Sequence, residues 1–391
     1  MNIEDFQRVD SNGSLSALLS QLTERKLRQE DIVAPTTQMQ FRTTVPYLPH
    51  HDSAYKGPVA ENVSEIIIEA NGGMPTQIAA LNGVAFDQLM QKSGIATRDG
   101  RRFQDAYPEE FDSLVNAILD KERAMRLLRA YSTADDNYLL GRAIVSDAFK
   151  TFDNYDLLEA ALPPLLDNGD AQWRTVNALV TDRKMHIRLR AANFEGTGAA
   201  VGDLMAAGIF LSNSEVGLGS VTVGEVIWTL ICLNGMQTDN VKRSAHIQSA
   251  RGSDAYGILQ ADTKDADNKA TALKMRDYVA AYSSRDNFDR TLEKFRAAAN
   301  DTVENGTAAV EALGGVLKLS QSETSSVLDG LLATAGQAGY AGNPISRATL
   351  VNAVTACANK ADPDKVDEWQ RLGGRVLELG KSEWERVALA A

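Results

Sequence analysis

Between Trp173 and Arg190 the sequence alternates twice between apolar and polar residues, with only Asp182-Arg183 separating the two runs. Alternation of this kind is the period of a strand with one buried face. Two such runs joined by two residues read as a β-hairpin. With Thr181 facing Lys184, Val180 opposes Met185, Ala178 opposes Ile187 and Val176 opposes Leu189, and these six side chains form one apolar face. The opposite face carries Lys184, His186, Arg188 and Arg190 on one strand, and Thr181, Leu179, Asn177, Thr175 and Trp173 on its partner. Three fixed positive charges and one titratable group thus share one face of one strand. Such a row repels itself unless an anion or an acidic partner answers it. Asp182-Arg183 is not an Asn-Gly turn, so the turn chemistry does not fix the register.

Charge elsewhere sharpens the contrast. From Arg174 to Arg190 there are five basic residues and one acidic residue, a local +4 in a chain of net charge −12. That total excludes a protein that coats nucleic acid with its whole surface, and leaves a local patch. Trp173, placed diagonally to Arg190, offers a stacking platform; a basic groove with an aromatic suits sequence-tolerant binding of single strands. The competing reading is a sheet face whose charges pair with some of the 52 acidic residues. Lys242-Arg243, with Arg251, forms a second and weaker basic cluster.

The rest of the 391 residues sets the frame. With 44% hydrophobic and 24% charged residues the chain is ordinary globular material, neither disordered nor fibrous. Residues 1–60, with Pro35, Pro46, Pro49 and Pro58, read as an extended arm that carries one short amphipathic helix around Leu15–Leu22. Residues 61–135 read as an α/β part, with a strand at Glu65–Glu69 and helices at Pro75–Ser93 and Pro108–Tyr131. Residues 136–260 read as a central antiparallel sheet interrupted by a helix from Asn154 that Pro163-Pro164 should stop. The chain is expected to turn helical after Gly224, and residues 261–391 read as helical throughout, with a capping box at Ser320 and Glu323. The fold class is α+β: antiparallel hairpins in the centre, flanking helices and a largely helical C-terminal part.

Motifs for chemistry do not stand out. Gly217-Leu218-Gly219-Ser220 lies between two strands and reads as a hairpin loop, not a phosphate loop. His50-His51-Asp52 has no second ligand pair at metal spacing, so no metal site is expected. Cys232 and Cys357 sit in apolar runs and read as small buried residues without a disulfide. No catalytic residue and no cofactor is assigned. The first residues lack the basic and apolar regions of a secretory signal, and the apolar run Val226–Leu233 is too short to span a bilayer. A cytoplasmic location is expected, the host cytoplasm if a phage encodes the protein.

Three stretches, in order, carry a family resemblance. Gly141-Arg142-Ala143-Ile144-Val145-Ser146-Asp147 runs into Thr151-Phe152-Asp153-Asn154-Tyr155-Asp156. Ser212-Asn213-Ser214-Glu215-Val216-Gly217 follows, then Cys232-Leu233-Asn234-Gly235, and Asn352-Ala353-Val354-Thr355 comes near the end. Together they resemble the phage- and plasmid-borne family known as domain of unknown function 932. The resemblance implies a protein of phage or mobile-element DNA metabolism; it carries no catalytic residues with it. The hairpins and adjoining helix are also similar, at the level of fold alone, to the core of ring-forming single-strand annealing proteins.

The leading expectation is a protein that binds single-stranded nucleic acid, promotes annealing or recombination, and works as a homo-oligomer without chemistry of its own. Trp173, Lys184, His186, Arg188 and Arg190 would make the contact, with Arg142, Lys242 and Arg243 in support. The alternative is an acidic protein-interaction factor that acts on a host or phage protein in host takeover, anti-defence or replication, which the charge of −12 favours.

Overall fold

The computed structural model describes residues 15–44, 63–69, 76–133, 138–167, 171–198, 204–229, 234–244, 259–336, 342–361 and 365–390. His50, His51, Cys232, His246 and Arg251 lie outside the described residues. The architecture is α+β, with two main sheets, helices packed on them and a helical C-terminal part.

The first sheet draws on the segment expected to be an arm. After α1 (Leu15–Leu27), β1 (Gln29–Pro35) pairs with β5 (Met125–Ser132), and β2 (Met39–Thr44) pairs with β3 (Val63–Ile68). Pro35 is tolerated because it ends an edge strand. With β4 (Gln77–Leu81) and β6 (Tyr138–Ser146) the order is β1-β5-β6-β4-β3-β2, antiparallel except for the β4–β6 pair. Residues 138–146, expected in the central sheet, therefore belong here. One face is covered by α2 (Gly83–Lys92) and α4 (Pro108–Glu122), whose Phe86, Leu89, Phe111, Val115 and Leu119 join Phe41, Ile66, Leu128 and Ile144 in one core. Between these two helices runs α3 (Thr97–Ala106). The outer edge of β2 is closed by side chains of α4: Asn116 accepts from and donates to the Phe41 backbone, and Asp112 accepts from the Thr43 N–H.

Two helices expected here are shorter than their periodicity suggests. Asn82 caps α2, its side chain accepting from the Ala85 N–H, and the residues just before it form β4. The helix expected to run to Tyr131 stops at Glu122, where Arg123 turns left-handed at φ 51°. Leu127 and Leu128 then continue as a strand, because a short apolar run fits both periods.

The second sheet is an antiparallel meander in the order β11-β10-β9-β8-β7. Its strands are β7 (Trp173–Val180), β8 (Met185–Thr197), β9 (Leu204–Asn213), β10 (Val221–Thr229) and β11 (Asn234–Ser244). The helix expected after Gly224 is thus replaced by two strands. All of β10 is buried, so no alternation marks it in the sequence. α5 (Asn154–Asp167) continues through Pro163-Pro164, and Leu165 beyond them remains in the core.

One face of this sheet packs α1, α5 and α6 (Ala261–Tyr282) over Val180, Met185, Ile187, Leu189, Ile209 and Leu211. Its far end shares a second core with the C-terminal helices, including Ala207, Ile227 and Met236 with Phe288, Leu292, Val351 and Trp369. Those helices are α7 (Arg285–Ala298), α8 (Gly306–Leu317), α9 (Gln321–Ala335), α10 (Arg347–Ala356), α11 (Val366–Leu377) and α12 (Lys381–Ala390). The Ser320–Glu323 capping box forms at the start of α9. Cys357 is buried, and burial pushes its thiol up to about 11. No helix among the described residues is long and apolar enough to cross a membrane.

α11 lies against the edge strand β11 with no room to spare. A Cβ on Gly374 would overlap the carbonyl of Gln237 and crowd Thr238. Alanine in a helix interior ordinarily stabilises by about 1 kcal/mol over glycine. Here the clash should outweigh it. Gly374→Ala is expected to destabilise the protein by about 1–3 kcal/mol in urea unfolding; a stabilised variant would show that α11 is not seated on β11.

Candidate functional site

The hairpin forms as expected near its turn and departs from expectation farther out. Val180 opposes Met185 and Ala178 opposes Ile187, but a bulge at Val176 shifts the register, so that Thr175 opposes Leu189, Arg174 opposes Arg190 and Trp173 opposes Ala191. A one-residue bulge sends every later side chain to the other face. Val176 is accordingly pushed out, 41% exposed, and Trp173 packs against the two cores under the sheet. Trp173 is therefore not a stacking platform beside Arg190. Arg174 takes its place there.

The basic row splits in two. Arg188 is buried and its guanidinium pairs with Asp367 at the start of α11, while His186 Nδ1 lies 2.7 Å from the other carboxylate oxygen. Gln237 also donates to Asp367. Burial pushes the Asp367 carboxyl up, but the hydrogen bond from His186 and the charge of Arg188 outweigh it and hold the group well below the usual carboxylate range. These two members of the expected interface are thus answered from within the protein.

Arg190 and Arg174 face each other across the β7–β8 pair, and neither has an ion-pair or hydrogen-bond partner for its side chain among the described residues. Lys184 lies against Gly219. Arg183, at the exposed tip, lines an open cleft of about 320 Å³ with Asp87, Gln88, Gln91 and Thr97. Lys242 and Arg243 are exposed on β11, at the opposite edge of the sheet, and do not join this group.

Arg142 has a different place altogether. Arg129 opposes Ala143 and Ala130 opposes Gly141, so Arg142 is the extra residue of a bulge in β6. The bulge puts Gly141 against Leu81 and Leu128 in the helix-covered core, and turns Arg142 to the other face, over the Tyr131 ring at 4.1 Å. There it donates from Nη2 to Glu215 at 2.7 Å. Glu215 comes from the loop after β9 and also accepts the Asn154 N–H at the start of α5. Arg129, with no exposed surface, donates to Asp31, to Asp153 and to the Glu215 carbonyl. Asn213 donates to the Phe152 carbonyl and to the Asn154 side chain.

This network joins the first sheet to the second. Burial pushes the Glu215 carboxyl up, but Arg142 and Arg129 outweigh that and leave it below its ordinary value. At Asp153 burial wins over Arg129, and the carboxyl rises to about 6. None of Asp31, Arg129, Asp153 and Glu215 is a candidate site residue on the sequence alone, although Asp153 and Glu215 lie in the stretches that carry the resemblance. Arg129 falls within the helix expected over Pro108–Tyr131, and its apolar neighbours Leu127, Leu128, Ala130 and Tyr131 in β5 are the signal that it is buried instead.

Residues 142–312 match the model of the family described as Domain of unknown function (DUF932). Over this segment the chain is similar to that family. The matched segment begins at Arg142 and takes in Asn154, Asn213 and Glu215, so the network joins residues that lie far apart within it. No curated protein and no solved structure matches the chain. Asn352 lies beyond the matched residues and meets the matched segment at the end of β10, where its side chain accepts from Thr229.

Two outcomes follow from these charges. Glu215→Gln removes the carboxylate from a buried pair and should cost about 3–5 kcal/mol in denaturant unfolding. Asp367 ionises more readily in the folded protein than in the unfolded chain. Its contribution to stability is therefore present above about pH 4 and is lost as pH falls below that value. Stability measured from pH 5 to 3 should fall more steeply in the wild type than in Asp367→Asn; parallel curves would remove Asp367 from the account.

Proposed function

We propose that the protein binds single-stranded nucleic acid along the outer hairpin, with Arg174, Arg190 and Arg183 as the contacts and no chemistry of its own. The observation that carries this reading is the Arg174–Arg190 pair. Two like charges directly opposed on adjacent strands destabilise a sheet, and no acidic side chain among the described residues answers them. A phosphate backbone would. From Arg190 to the turn the strand covers about 20 Å, the reach of several nucleotides. Trp173 is withdrawn from the face, so the mechanism is electrostatic guidance along an edge rather than stacking on indole.

The reading places the protein with phage- or plasmid-type DNA metabolism, in annealing or recombination, and as an oligomer that lines several hairpins along one strand. A second reading, an acidic protein-interaction factor, is favoured by the Asp367 contacts, because they neutralise half of the basic row internally.

Fluorescence anisotropy with a labelled single-stranded oligonucleotide separates the two. Binding should weaken steeply with salt. Arg174→Ala with Arg190→Ala should weaken it about tenfold or more and flatten the salt slope by about two counterions. No binding at low salt, or an unchanged slope in the double variant, would favour the second reading.

A further inference from the structure

Arg142 brings three nitrogens into a closed setting and uses one. Nη2 donates to Glu215, while Nε and Nη1 are buried without an acceptor among the described residues, in a residue only 4% exposed overall. Arginine has five N–H donors and cannot shed its charge, and buried donors of this kind ordinarily meet a partner. Arg129, the neighbouring arginine, shows the contrast: its Nε, Nη1 and Nη2 all have acceptors. Arg188 and Arg347 each leave only Nε without a hydrogen-bond acceptor among the described residues, whereas Arg142 leaves two nitrogens.

A second cation lies close by. Arg25, half-buried near the end of α1, has its pKa lowered by burial and, among its charged neighbours, by Arg142; Tyr131, Glu215 and Asp182 at the hairpin tip act in the opposite direction. Water satisfies an orphaned N–H but brings no charge. A small oxyanion supplies acceptor oxygens and relieves the repulsion between two guanidinium groups at once.

We propose that Arg142 and Arg25 form a binding site for a small tetrahedral oxyanion of the phosphate type, enclosed by α1, the β5–β6 pair and the tip of the β7–β8 hairpin. Arg142 forms its floor, with the Tyr131 ring beneath the guanidinium, and Arg25 stands on the more exposed side. The site is separate from the Arg174–Arg190 pair and does not depend on nucleic-acid binding by the hairpin. Its position, beside the carboxylate that joins the two sheets, means that an occupied site stabilises the junction.

Isothermal titration calorimetry of the full chain with inorganic phosphate tests this. A single saturable site is expected, and the thermal midpoint should rise with phosphate but not with chloride at equal ionic strength. Arg25→Gln, on the accessible side, should weaken phosphate binding about tenfold or more while the protein remains folded. Arg142→Lys keeps the charge but loses the planar fork, and should weaken it at least as much. Arg174→Ala with Arg190→Ala should bind phosphate as the wild type does. No saturable binding to the wild type, affinity unchanged in Arg25→Gln, or equal loss in the hairpin variant would each overturn the proposal.

Discussion

A buried arginine must be answered by carboxylates or carbonyls wherever it lies, and in this protein two of them set how the sheets meet. Arg129 and Arg142 point from the first sheet toward the second. Their partners come from β1, from the start of α5 and from the loop after β9. Desolvating these charges is costly, and only a full set of partners offsets it. The loop carrying Glu215 is held from several other directions: Gln88 of α2 donates to the Val216 carbonyl, and Ser214 donates to the Arg183 carbonyl in the hairpin turn. Val216 also packs with Leu127, Val145 and Phe149. One loop thus connects the helix-covered sheet, the charge network and the tip of the basic hairpin.

That connection gives the hairpin its setting. Its turn is tied to the network, and its inner strand is locked to α11 by Asp367, while its outer strand is an edge. The functional proposal uses only what these contacts leave over. His186 and Arg188 serve the seating of α11; Arg174 and Arg190 lie on the same sheet surface with no acidic partner among the described residues. A hairpin anchored at its turn and along its inner strand presents fixed charges at little entropic cost, which suits a ligand as flexible as a single strand.

Much of this was legible in the sequence, and the exceptions share a cause. Alternation revealed the hairpin and its cations, the Ser320–Glu323 pair revealed the start of α9, and the stretches around Arg142 and Glu215 were singled out before their contact was known. Alternation assumes that no residue is inserted. The bulges at Val176 and Arg142 break that assumption, exchanging Trp173 for Arg174 on one face and turning Arg142 into the seam. Strands without an exposed face, such as β10, have no period to read. Pairings across long separations, from Asp31 to Arg129 or from His186 to Asp367, leave no local mark, so the residues that close the network and the carboxylate that answers half of the basic row could be found only in three dimensions.

The central claim is that the outer hairpin is the nucleic-acid contact, and hydrogen–deuterium exchange with and without a single-stranded oligonucleotide at low salt tests it most directly. The account predicts slowed exchange within residues 173–190, along the β7 edge above all, with β11 around Lys242-Arg243 unchanged. Slowed exchange confined to β11, or no change anywhere at oligonucleotide concentrations that saturate binding, would contradict it.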